Sequence, residues 1–160
     1  MQIFDNLNEI KSIEETSIAL GNFDGVHLGH QKLIKTTIEI AKERGLKSAV
    51  FTFSNHPRDL LPNAPKIKNI LYKHEKEELM EDLGVDYLIN IPFTREIMEM
   101  PPEEYVKKII VGKLRAKSVV CGFNHNFGHK ASGNVDTLYE LSLELGFSLK
   151  VIDAFVINEQ

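Results

Sequence analysis

Apolar residues along this chain alternate between two rhythms. Short dense runs at Ser17–Leu20, Lys47–Phe53, Tyr87–Ile91, Ser118–Cys121 and Ser148–Ile152 are mostly β-branched, aromatic or small and read as strands. Between them, apolar positions recur at helical spacing. Leu33, Ile34, Thr37, Ile38 and Ala41 form one stripe, in a helix entered between Val26 and Gly29 and stopped by Gly45 after about Arg44. Tyr72, Leu79, Met80 and Leu83 mark a second helix closing at Gly84, and a short helical segment follows from Arg95 to Met98. A longer one runs from Pro102, a residue suited to a first helical turn, to about Leu114 and buries Val106, Ile109 and Ile110. The last, Val135 to Leu145, turns Val135, Leu138, Leu141 or Ser142, and Leu145 to one side. Residues 58–70, with Pro62 and Pro65, break both rhythms and read as an irregular connection, longer than compact domains usually leave idle. The repeated alternation predicts an α/β fold, a doubly wound parallel sheet of about five strands with helices on both faces, in which ligands sit beyond the carboxyl ends of the strands.

Composition narrows the classes. A chain of 160 residues fits one domain, and 42% hydrophobic with 26% charged residues is ordinary for a globular protein. A net charge of −4 disfavours a nucleic-acid surface, though histidines, lysines and backbone amides still suffice for a local anion site. The start, Met1 to Asn6, lacks the basic and apolar regions of a signal peptide, and no apolar run approaches a membrane span, so a cytoplasmic protein with no nucleic acid and no membrane partner is expected. A single cysteine excludes an intrachain disulfide and a C-x-x-C motif; Cys121, within a strand run, reads as a buried small hydrophobe.

Chemistry concentrates after the strands. Residues 20–31, Leu-Gly-Asn-Phe-Asp-Gly-Val-His-Leu-Gly-His-Gln, form a strand end, a glycine loop and a helix start. His27 and His30, three apart, project to one side of the first turn and flank Gly29, whose bare backbone admits a ligand; a helix N-terminus adds unpaired amides suited to phosphate. Taken alone, such a pair is more often than not an accident, since a histidine near a helix start can be a satisfied surface or core residue and a pair can bind adventitious metal. Two more loops follow strands, Phe51-Thr52-Phe53-Ser54-Asn55-His56-Pro57 and Gly122 to Asn134, so three segments converge on one crevice. Five of the six histidines (27, 30, 56, 125, 129) lie in or beside them.

The first of these segments resembles the H-x-G-H signature of Rossmann-like nucleotidyltransferases, and in its longer form, G-N-F-D-G-V-H-x-G-H-Q, the adenylyltransferase module of bacterial FAD synthetases. The second resembles that family's T-F-x-P-H-P motif with Asn55 in place of proline; the third resembles its G-x-[DN]-F-x-F-G-x-x-x-x-G loop, with His125 where an aromatic is common. The resemblance implies transfer of AMP from ATP to FMN, giving FAD and pyrophosphate, with His27 and His30 catalytic, Gly21, Asn22, Phe23, Asp24 and Gly29 on the nucleotide, and His56, Pro57, Asn124 and Phe127 on the flavin. Magnesium is expected on the triphosphate, with no protein ligand assigned to it.

In this family the last strand is followed by an I-S-S-x-x-[IL]-R segment that holds the β- and γ-phosphates. The chain reaches Gln160 where that segment is expected. The resemblance therefore implies that residues 1–160 are an FMN adenylyltransferase domain truncated at its C-terminal end, without the riboflavin kinase that usually follows, and weakly active or inactive. Of Arg44, Arg58, Arg95 and Arg115, Arg58 alone is expected near the crevice. Two alternatives stay open: another H-x-G-H enzyme moving CMP or AMP to a small phosphate acceptor, or a non-catalytic flavin or nucleotide binder.

Overall fold

In a computed structural model, which describes residues 1–21, 23, 28–54 and 66–153 and only the backbone course of 28, 29 and 66–72, the alternation becomes a six-stranded, all-parallel sheet. The elements are β1 (Gln2–Phe4), β2 (Thr16–Leu20), α1 (Leu28–Arg44), β3 (Lys47–Phe53), α2 (Lys66–Leu83), β4 (Tyr87–Ile91), α3 (Arg95–Glu99), α4 (Pro102–Glu104), a π-helix (Tyr105–Lys113), β5 (Ala116–Gly122), α5 (Val135–Leu145) and β6 (Ser148–Ile152). Three expectations need correction. The sheet has a sixth strand, because Gln2–Phe4 pairs with β4 at one edge, and three residues are too few to show a period. Lys66 to Ile70 are already helical, in the first turns of α2, while 55–65 lie outside the described residues.

The third correction concerns winding. The segment from Pro102 makes one α-turn, with the Tyr105 amide donating to the Pro101 carbonyl at 3.0 Å, then widens until the Leu114 amide reaches back five residues to Ile109 at 2.8 Å. Nine residues of π-helix are unusual, since such winding is mostly confined to single turns. It buries Tyr105, Val106, Ile109 and Ile110, so the three positions expected in the core are there and a tyrosine joins them.

The strand order is β1-β4-β3-β2-β5-β6. From β2 the chain steps outward through β3 to β4, then returns to β5 on the other side of β2, which makes the gap between β2 and β5 the point where strand order reverses. Alternate residues feed two cores. Ala19, Val50, Leu88 and Val120 meet Leu33, Ile34 and Ile38 of α1 and Met80 of α2. Ile18, Leu20, Phe51, Ile89 and Val119 meet Val106 and Ile110 of the π-helix and Leu138 and Leu141 of α5. All five residues of β2 are buried, as a parallel sheet covered on both faces requires, including Thr16 and Ser17 ahead of its apolar Ile18, Ala19 and Leu20. Each fully buried Ile or Leu contributes roughly 1.5–3 kcal/mol, and these two layers hold the strand ends in register beneath the loops.

Candidate active site

A crevice of ≈ 780 Å³ opens over the carboxyl ends of β2, β3 and β5, within the range of small-molecule sites. Its two walls differ in kind. On one side β2 ends at Gly21, and Phe23 adopts a left-handed conformation (φ 49°) that folds its ring back beneath the glycine. A Cβ at Gly21 would stand 2.9 Å from Phe23 Cζ, so this return needs glycine. The Phe23 ring is 3% exposed and meets His30 edge-on, with centroids 5.2 Å apart at 80°. A left-handed phenylalanine costs on the order of 1–3 kcal/mol, and what it secures is the seat of His30 in the first turn of α1.

The opposite wall is a row of six rings. His125 stacks on Phe127 (5.7 Å, 20°), Phe127 leans on Tyr105 (5.5 Å), Tyr105 on Phe51 (6.0 Å), and Phe53 meets Phe51 and Phe93 edge-on at 5.5 and 5.0 Å. All lie within the separations at which aromatic pairs attract. Burial raises the Tyr105 hydroxyl far above its ordinary pKa, so it remains a neutral phenol.

The loop that supplies His125 and Phe127 is tied down. Phe127 and Gly133 exchange two backbone hydrogen bonds of 3.1 and 2.9 Å, and the His129 amide donates to the Met100 carbonyl at 2.8 Å. A Cβ on Gly133 would fall 2.8 Å from the Phe127 ring and 2.9 Å from Pro102 Cβ, so this glycine serves close approach. Asn134 then caps α5 in a reciprocal box with Thr137. Lys130 and Ala131, both left-handed (φ 54° and 53°), line the crevice beyond the bridge, while Phe123 and Asn124 stand exposed at its rim.

Several polar atoms at this end of the sheet are sealed from water without a hydrogen bond: His125 Nε2 and both amide atoms of Asn90. Burial lowers the His125 pKa to about 4, leaving a neutral imidazole at physiological pH. On the far face of β3, Lys76 is buried and donates to Thr52 Oγ1 (3.2 Å) and to the Phe53 carbonyl (2.6 Å), gripping the strand end whose ring joins the aromatic row.

Of the residues expected in the site, Gly21, Phe23, His30, Asn124 and Phe127 line this one crevice, and Gly29 precedes His30 in the helix. Asn22, Asp24, His27, His56 and Pro57 lie outside the described residues, as does Arg58. Arg44 and Arg115 are bound at the opposite end, to Ser148 Oγ (2.9 Å) and the Ile13 carbonyl (2.8 Å). Arg95 is exposed and does not line the crevice, although Ile97 and Met98 of the same helix α3 do. Sequence reasoning missed Tyr105, Phe93, Lys76 and Asn90. Phe93 follows a strand end and was open to the same rule as the other loops; nothing local marks Tyr105 as anything but core. Cys121 is buried as expected, its thiol pushed up to about 12. Among the described residues no cluster of three or more His, Cys, Asp or Glu could hold a metal ion, and no helix is long and apolar enough to cross a membrane.

Fold and crevice together define an α/β protein of the Rossmann-like, doubly wound class with a crevice at the reversal of strand order. A crystal structure described as a macrolide-efflux protein from Streptococcus pneumoniae shares this fold, with a TM-score of 0.79 at 24% identity over 94% of this chain and 49% of that one. The sequence profile of the FAD synthetase family matches residues 9–160. A bifunctional riboflavin kinase/FMN adenylyltransferase of Listeria monocytogenes is 38% identical over 137 residues, 85% of this chain and 43% of the relative. A FAD synthetase of the same organism is 35% identical over 125 residues, 78% and 50% of the two chains. The chain belongs to the FAD synthetase family. It spans about half the length of the curated relatives it matches.

Proposed function

We propose that the chain is an FMN adenylyltransferase module, taking AMP from MgATP and passing it to FMN to give FAD and pyrophosphate. The observation that carries this reading is the pairing, in one crevice, of an aromatic wall with a helix N-terminus bearing His30. An isoalloxazine needs flat apolar surface, and a triphosphate needs donors. The described residues supply both.

An FMN phosphate oxygen attacks the α-phosphorus of ATP, one P–O bond forms as the bond to pyrophosphate breaks, and negative charge moves onto the leaving group. The protein's share is positioning and charge stabilisation. His30, seated by Phe23, is the donor aimed at that charge, with His27 as its expected companion and the amides at the start of α1 as helpers. Gly21, Asn22, Asp24 and Gly29 border the nucleotide in this reading, and His56, Pro57, Asn124 and Phe127 the flavin. Magnesium arrives with ATP, keeps most of its water and needs few protein ligands. A riboflavin kinase segment in the native protein would supply FMN, and the cytoplasm supplies ATP.

Incubation with FMN and MgATP, following FAD by chromatography and pyrophosphate by a coupled assay, tests the reading. CTP, and acceptors such as pantetheine phosphate or a pyridine mononucleotide, run in parallel. FAD formed from FMN and ATP alone is the expected outcome. Preference for another pair would assign a sister nucleotidyltransferase activity, and flavin binding without pyrophosphate release would mark a binder.

A further inference from the structure

We propose that His125 is a turning ring that determines flavin specificity: it packs on Phe127 and turns to hydrogen-bond the polar edge of the flavin when one stacks beside it. The inference rests on the FMN reading above and extends it to a residue that departs from the aromatic common at this place in the family. Three observations carry it. His125 lines the crevice at the end of the row of rings, stacked on Phe127 at 5.7 Å and 20°. Its Nε2 is sealed from water and has no hydrogen-bond partner. The backbone beneath it is fixed, by its own amide donating to the Gly122 carbonyl at 3.1 Å and by the Phe127–Gly133 bridge, so the side chain is the part free to respond.

A buried polar atom without a partner is unfavourable for the folded chain, and phenylalanine in its place would avoid that cost. Half a turn about the Cβ–Cγ bond leaves the outline of an imidazole almost unchanged while exchanging Nε2 with Cε1, so the stack on Phe127 survives the motion. The turn brings the nitrogen out of its sealed position. An isoalloxazine carries carbonyls and an imide N–H along one edge, so either tautomer of a neutral imidazole finds a match there. Phenylalanine offers the same stacking and no such bond. The penalty in the empty state thus becomes selectivity in the occupied one.

The test compares wild type with His125→Phe, with His125→Leu as a second probe should the larger ring disturb packing. Calorimetric titration with FMN and, separately, with MgATP is combined with thermal melts without ligand. Loss of the nitrogen is expected to weaken FMN binding about tenfold while leaving MgATP binding unchanged. His125→Phe should melt above wild type without ligand, and its absorption change on FMN binding should be smaller than that of wild type. Unchanged FMN affinity in both variants, or an equal loss for FMN and MgATP, overturns the proposal while leaving the FMN reading intact. A wild-type chain that binds MgATP but no FMN sinks the FMN reading itself and the inference with it.

Discussion

The two ends of the same parallel sheet use polar residues in opposite ways. At the amino ends they bind one another. Thr16 Oγ1 donates to the Leu114 carbonyl at 2.8 Å, Ser17 Oγ to the Thr37 carbonyl at 2.9 Å, and Asp86 accepts from both the amide (2.9 Å) and the hydroxyl (3.2 Å) of Ser48. Arg115 is left-handed there, and its guanidinium holds the Ile13 carbonyl. Ser118 Oγ is the exception, buried without a partner. At the carboxyl ends lie His125 Nε2 and the Asn90 amide without hydrogen bonds, together with three left-handed residues, Phe23, Lys130 and Ala131. One end of the strands holds the domain together, and the other bears strain and unmet hydrogen-bonding capacity where a ligand would meet them.

If this division is right, substitutions at the two ends should separate rate from stability. The largest effect belongs to His30→Ala, which under the proposed function removes a donor aimed at the leaving group. The rate constant for pyrophosphate release should fall by about 10²–10³, on the order of 3–4 kcal/mol in the transition state, with little change in MgATP affinity. Full activity would place the phosphates elsewhere. Next is the pH dependence of stability. The His125 pKa is about 4 in the folded chain against 6.5 when free, so the folded state resists a proton that the unfolded chain accepts. Its contribution is complete above pH 6.5 and is lost as pH falls towards 4, a decline on the order of 2–3 kcal/mol. Urea titrations across that window should show wild type losing more stability than His125→Phe; parallel curves would remove the argument from burial.

The amino end is tested by Asp86→Ala, which leaves the Ser48 amide and hydroxyl without their acceptor. It should lower unfolding free energy by about 2 kcal/mol and leave ligand affinities untouched. A change in FMN binding would mean that the ends communicate. The smallest effect is that of Asn124→Ala at the exposed rim. Flavin affinity should weaken by about 1 kcal/mol and MgATP affinity by less, and equal losses would move the loop away from the flavin.

Legibility followed local pattern. Lys47–Phe53, Tyr87–Ile91, Val135–Leu145 and Ser148–Ile152 were found at their true limits because a dense apolar run or a clear stripe is bounded by a glycine or a capping residue. Gln2–Phe4 was hidden by its length, and the first turns of α2 by Pro62, Pro65 and a polar start. Winding was invisible, since Val106, Ile109 and Ile110 fit α and π spacing alike. In the crevice, His30, Asn124 and Phe127 announced themselves through glycine loops, whereas Tyr105 reaches it from a helix and Lys76 holds the end of β3 from the far face, and only the folded sheet brings either beside β3.

The π-helix carries a consequence for chain length. Relative to an α-helix each of its turns holds an extra residue, and Gly112 shows how tight the fit is, since a Cβ there would stand 2.8 Å from the Lys107 carbonyl oxygen. Removal of a single residue between Val106 and Lys113 would let the segment relax to ordinary winding. The shorter segment then turns through nearly the same total angle, because α winding turns further per residue than π winding, so Leu114 keeps its place in the core and Tyr105 its place in the aromatic row. Loss of one residue here should therefore be tolerated far better than loss of one in α1, where the winding has no slack and one end of the helix must rotate by about 100° against the other.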